Sequence, residues 1–269
     1  MLAECHFQQT ASYLSPERYP LTASKIDSAA LRQLPVRPVP AAALVLLRGT
    51  GEDATEVLLG RRHGKAGFMP GVYVVPGGRV EPEDGGASAF PEDLPPLPQG
   101  LDKATHGRAS AIARAALRET FEETGVLYGK ASDAASEVPH SGQSQIWIRY
   151  AEAGIQPAFE RLWFIARAIT PTFSPRRFHT RFLLGDGRFA QGEIGGDGEL
   201  EDIGWCPLNM IGELPMANIT KLVLQEALTH YSIIRNSESA LSDRPAAMFR
   251  WTGSKHQGGV SASQRTLQA

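Results

Sequence analysis

The stretch SAIARAALRETFEETGV at 110–126 decides how this chain is read. It holds neither Gly nor Pro before Gly125, opens on Ser110 as an N-cap and stops at a glycine suited to the left-handed C′ position, which predicts a helix over 111–124. At 100° per residue Glu119, Glu122 and Glu123 fall within an arc of about 100°, while Leu117 and Phe121 point the other way. The helix therefore buries an apolar back and presents three carboxylates in front. Such carboxylates raise one another's pKa unless a cation neutralises them. Oxygen donors without His or Cys select a hard divalent ion, Mg2+ or Mn2+, over zinc. An isolated Glu-Glu pair is better read as a solvated acidic face. Here it has a companion upstream: GVYVVPGG (71–78), a strand ending in the Pro76-Gly77-Gly78 bend and followed by Arg79, Glu81 and Asp84. Glycines at such a bend let the backbone approach a metal or phosphate closely.

Working outward, AAALVLLRG and TEVLLGRR, separated by a GTGED turn, predict a hairpin over about 41–62. Residues 82–100, rich in Pro, Gly and acid, predict a long surface loop without helix or strand. Beyond the helix, a weaker helix is expected near 143–153, strands at 162–169 and 176–184, a final strand at IGWCPL with a short helix at 209–213, and a last helix over 219–233. In the 176–184 strand Phe178, Thr180 and Phe182 alternate with His179 and Arg181. The fold class expected is α/β: an α/β/α sandwich with a central mixed sheet and a catalytic loop and helix carrying a long insertion.

The chain has 269 residues with 27 Lys and Arg against 29 Asp and Glu, a balance that argues against a surface built for nucleic acid. Cys5 and Cys206 lack partners at metal-ligand spacing and suit a reducing compartment. The longest apolar run, 41–47, is far short of a membrane span, and MLAECHFQQT has no signal-peptide pattern, so a cytoplasmic protein without a membrane partner is expected. The length divides into an arm at 1–35, one domain at 36–234 with an insertion at about 85–108, and a floppy tail at 235–269. No GxSxG, HExxH, CxxC, Walker A or helix-opening GxGxxG pattern occurs.

Gly78, Asp84 and the run Arg118-Glu119, Glu122-Glu123, Gly125-Val126 together resemble the box of the Nudix hydrolase superfamily, G-x5-E-x7-R-E-U-x-E-E-x-G-U. Asp84 stands for the first Glu and Thr120 for the first apolar U. Between Asp84 and Arg118 lie 33 residues where the box has seven, an insertion whose loop-closure cost grows only slowly with length. A second likeness, LLGRRHGKAGFMPGVYVVPGG (58–78) and TPTFSPRRFHTRFLL (170–184), is to the coenzyme A diphosphatase branch, nearest its peroxisomal type. Val75 and His179 depart from that pattern, and TLQA is not a peroxisomal address.

The resemblance implies hydrolysis of a diphosphate joined to a nucleoside and a second moiety X, favoured as coenzyme A or acyl-coenzyme A. It implies metal ligation by Glu119, Glu122 and Glu123 with the Gly77 carbonyl, catalysis by Glu122 and Glu123, and Arg118 orienting the glutamates. Substrate contacts are expected from Arg62, Gly77 and Gly78. Arg62 reads equally as a surface strand-end arginine. Glu199 and Glu201 read as a loop base or, by preference, as a solvated acidic turn. His179 and Arg181 line a cleft or merely an exposed strand face; Trp163, Trp205 and Phe68 stack on adenine or, more in keeping with strand aromatics, sit in the core. Alternatives are ADP-ribose, NADH or dinucleoside polyphosphates as substrates, or a non-catalytic ligand-binding regulator. A homodimer is a family-level expectation.

Overall fold

The computed structural model describes residues 36–49, 54–67, 69–85, 101, 108–132, 145–236, 246–252 and 259–264. The arm at 1–35, Cys5, Phe68 and nearly all of the insertion lie outside them. Strands β1 (Val39–Arg48), β2 (Glu56–Arg62), β3 (Tyr73–Val74) and β4 (Gly77–Arg79) precede helix α1 (Ala109–Thr124). Then come β5 (Leu127–Ala131), α2 (Gln145–Glu152), β6 (Ile155–Pro157), β7 (Leu162–Ile169), β8 (Phe178–Asp186), β9 (Ala190–Gln191), β10 (Leu200–Pro207), α3 (Asn218–Asn236), β11 (Ala247–Thr252) and β12 (Gly259–Gln264).

The main sheet runs β10-β2-β1-β8-β7-β11-β12, with β3 on β2 and β4 on β1. It is mixed: β1 lies antiparallel to β2 and parallel to β8 along its whole length. Ala41 to Leu47 are all buried because both faces of β1 are covered by helices. On one face Leu44, Leu46 and Leu183 pack with Ile112, Ala116 and Leu117 of α1. On the other Val45, Leu47 and Leu184 pack with Val223, Leu224 and Ala227 of α3. The α/β/α sandwich expected from the motifs is the architecture found. No described helix is long and apolar enough to cross a membrane.

Several local expectations change. The 71–78 run is two short strands: Pro76 has no N–H for a ladder, and its carbonyl accepts from Leu44 N at 3.0 Å as the chain passes from β2 to β1. Ser110 lies inside α1, which starts two residues earlier than expected, with Arg108 at the cap position and no side-chain cap. Residues Pro82–Gly85 form a 3-10 turn with Asp84 buried, so 82–100 is not all surface loop, and just beyond it Leu101 is fully buried against the α1 layer. The β5 and β6 strands went unread because LYGKA and IQP are too short to show alternation.

The tail expectation fails at 247–252. There β11 pairs parallel with β7, burying Ala247, Met248 and Phe249. The surrounding Ser, Gly and Gln mask a short strand, AMFRWT, with four apolar residues among its six, and without it that edge of β7 would be unpaired. Phe249→Ala is expected to lower stability by about 3 kcal/mol in urea unfolding; an unchanged midpoint would show that this strand contributes nothing.

Candidate active site

Arg118 ties the site together. Its side chain is 10% exposed, and that of Asp84 is 2% exposed. Nε and Nη2 of Arg118 donate to Asp84 Oδ1 and Oδ2, each at 3.0 Å, in a two-pronged charge-assisted pair. Nη2 also donates to the Arg79 carbonyl at 2.9 Å, and Nη1 to Glu119 at 3.0 Å and Glu122 at 2.8 Å. Burial acts to lower the guanidinium pKa, but Asp84, Glu119 and Glu122 outweigh it and raise it. Asp84 in turn accepts from Glu81 N at 2.8 Å, closing the 3-10 turn, and its carbonyl accepts from Arg114 at 3.2 Å. The Asp at the glutamate position of the motif thus clamps the loop to α1.

The two glycines let α1 and β4 meet. Gly77 N–H donates to Glu123 Oε2 at 2.8 Å. A Cβ on Gly78 would stand 2.4 Å from the Glu119 carboxyl carbon, so only glycine leaves that side chain its place. Glu119 and Glu123 are pressed between helix and strand. Burial pushes Glu119 up to about 7 against the pull of Arg118, and Glu123 up to about 8 against the Gly77 hydrogen bond. Glu122 is more exposed and is engaged by Arg118. No three His, Cys, Asp or Glu among the described residues form a ready-made metal cluster.

The acidic glycine-rich loop before β10 is a cap on α1. Gly125 takes the left-handed conformation, φ 73°, and returns its N–H to Phe121. Gly195 N donates to the Thr124 carbonyl at 2.9 Å and Asp197 N to that of Glu122 at 3.0 Å, satisfying last-turn carbonyls. A Cβ on Gly196 would meet the Glu123 carbonyl at 2.3 Å. The docking brings Glu199 close enough to raise both Glu119 and Glu123. Glu201 is turned away, to Arg61 at 3.2 Å and His63 at 3.4 Å.

These groups form one end of a cleft of about 1170 Å³ on the α3 side of the sheet, with Arg62, Gly77, Gly78, Glu119, Glu123 and Glu199 in its wall. Its floor is Ala41, Ala43, Thr180 and Phe182, and its far end is Ile169, Phe249 and Trp251. His179 and Arg181 do not line it. They share the opposite face of β8 with Leu183, where burial first, then Arg181 and Arg167, push His179 down to about 4. Trp163 packs against the α3 layer and Trp205 against the α1 layer, under Arg48 at 4.2 Å; neither reaches the cleft. The cleft aromatics are Phe178, Phe182, Phe249 and Trp251. Only Phe178 and Phe182 had a sequence signal, their strand alternation.

Asp84→Ala strands a buried guanidinium and is expected to cost about 3 kcal/mol in denaturant unfolding; a loss under about 1 kcal/mol would mean the clamp is not structural. The raised carboxylates set a pH dependence. Their folded values of about 7 and 8 exceed the ordinary 4.5, so the folded chain keeps protons the unfolded chain loses, and metal-free stability falls as pH rises from about 4.5 to 8. Thermal melts across that window should show a steeper fall for the parent than for the Glu119→Gln, Glu123→Gln double variant; parallel curves would refute the assignment.

A family model of the NUDIX domain matches residues 37–227, well over half of the chain. The crystal structure of a NUDIX hydrolase from Alicyclobacillus acidocaldarius is similar at 30% identity and TM-score 0.55, covering 77% of this chain and 96% of that one. The mutator MutT protein of Bacillus halodurans follows at 12% identity, 84% and 99% coverage and TM-score 0.43. The NUDIX domain of Shewanella oneidensis NrtR, complexed with ADP ribose, stands at 14%, 81% and 99%, and TM-score 0.41. No curated protein matches the chain. With its two motif halves joined through Arg118 and Asp84, and with this breadth of match, the chain belongs to the NUDIX family and is a Nudix pyrophosphohydrolase.

Proposed function

We propose that the chain is a divalent-metal-dependent diphosphatase whose favoured substrate is coenzyme A or an acyl-coenzyme A. The observation that carries the reading is the pair of Glu123, buried, and Glu119, partly buried, at the end of a cleft of about 1170 Å³, a space larger than a drug-sized ligand fills. The substrate choice rests on the 58–78 and 170–184 likeness. Of those stretches, Arg62, Met69, Gly77, Gly78, Thr170 and Phe178 line the cleft.

The donor set fits a hard cation. Glu119 and Glu123 are oxygen donors whose charge burial disfavours, and Mg2+ characteristically takes one or two carboxylates and completes its shell with water and substrate phosphate. Glu119 and Glu123, with Glu122 beside them, would hold the ion, which supplies charge neutralisation at the phosphate and acidifies bound water. The chain's own residues do the rest. Gly77 N–H fixes the Glu123 carboxylate, Arg118 fixes Glu119 and Glu122, and Arg62 faces the phosphate. Glu199 accepts the proton from the attacking water, a role supported by its position in the cleft wall and its coupling to both of those carboxylates.

A panel of coenzyme A, acyl-coenzyme A, ADP-ribose, NADH and diadenosine polyphosphates with Mg2+ or Mn2+, products identified by mass, tests the substrate. Cleavage of coenzyme A to 3′,5′-ADP and phosphopantetheine at the highest kcat/KM is expected; preference for another member replaces the substrate assignment, and no turnover at all favours a ligand-binding module. Glu199→Gln should lower kcat by about 100-fold or more with little change in KM, whereas Glu201→Gln should stay within about threefold. Equal effects would remove Glu199 as the acceptor.

A further inference from the structure

Two guanidinium groups that form no ion pair at salt-bridge distance with a carboxylate among the described residues line the same cleft, one on each side of β1. Arg62 ends β2, and its Nε is buried without a hydrogen-bond partner. Arg176 belongs to the connection between β7 and β8, on the other side of β1. It reaches back to the β2–β3 loop: a Cβ built on Gly67 would stand 3.0 Å from its Nη1, 3.4 Å from Nη2 and 3.5 Å from Cζ. A side chain at position 67 would crowd the guanidinium where it now lies, and the glycine leaves that place open. Arg177 next to it is spent on main-chain carbonyls, donating to Thr170 at 3.0 Å and Val36 at 2.7 Å. Among the described residues the Arg176 side chain has no hydrogen bond or ion pair, while its carbonyl accepts from Ser174 Oγ at 2.7 Å. An exposed guanidinium in the cleft wall, whose donors no described residue takes up, suits a planar fork of anionic oxygens.

The geometry points to Arg176, lying against Gly67 and lining the same cleft as Arg62, as the second arm of a clamp that grips the diphosphate of the substrate. This rests on the reading of the cleft as a diphosphate site. A diphosphate carries more non-bridging oxygens than the carboxylate end can engage, and those turned away from it need donors. Arg62 supplies them from the sheet and Arg176 from above, so the clamp distinguishes a diphosphate from a single phosphate. Arg176 lies outside both halves of the family motif.

Binding of α,β-methylene-ADP, whose bridge resists hydrolysis, and of AMP, measured by calorimetry on the full chain with Mg2+, tests this independently of turnover. Arg176→Gln should weaken the diphosphate about tenfold or more and AMP less than about threefold. Arg176→Lys should recover part of the loss, and Gly67→Val, which crowds the guanidinium, should reproduce it. Equal weakening of both ligands, no weakening of either, or no diphosphate binding by the parent overturns the clamp. A negative hydrolysis panel with the binding contrast intact would sink the diphosphatase reading alone.

Discussion

The structure depends on one cation. All three guanidinium nitrogens of Arg118 are engaged, by Asp84, Glu119, Glu122 and the Arg79 carbonyl, in a place nearly shut to water. Breaking a buried arrangement of this kind leaves an uncompensated charge, which is far more costly than losing a surface ion pair. The glycine bend, the 3-10 turn and α1 are therefore held as one unit. Because that tie is made directly between Asp84 and Arg118, the 33 residues between them are free of it. An insertion can grow there without moving Glu119 or Glu123.

The same tie explains why two carboxylates can be packed side by side. Gly77 and Gly78 let β4 approach α1 until Glu119 and Glu123 are squeezed out of water, and both are then raised towards neutrality. Such a pair stores an unfavourable interaction that a cation relieves. The capping loop at 193–199 adds Glu199 to it while satisfying the end of α1. Local needs of helix termination and the needs of the site are met by one segment.

Much of this was legible in the residues. The face shared by Glu119, Glu122 and Glu123, the apolar backing of Leu117 and Phe121, the β1–β2 hairpin and the sandwich all follow from periodicity and motif, where local pattern and tertiary environment agree. What escaped was set by contacts distant in sequence. Asp84 gave no sign of being the partner of Arg118, since 33 residues intervene. Glu199 and Glu201 were indistinguishable until the docking of 193–199 on α1 turned one to the cleft and the other to Arg61 and His63. The strand at 247–252 was hidden by its polar surroundings, yet it puts Phe249 and Trp251 at the far end of the cleft, beyond the 37–227 family match.

In the proposed mechanism hydrolysis depends on the cation that Glu119 and Glu123 would hold at the α1–β4 junction. Single-turnover cleavage of the preferred substrate by the parent and by Glu123→Gln, with protein and Mg2+ in excess, addresses it most directly. A fall in the cleavage rate of about 1,000-fold is expected, in a variant that still folds and still binds α,β-methylene-ADP. A Glu123→Gln protein that cleaves as fast as the parent would contradict that mechanism.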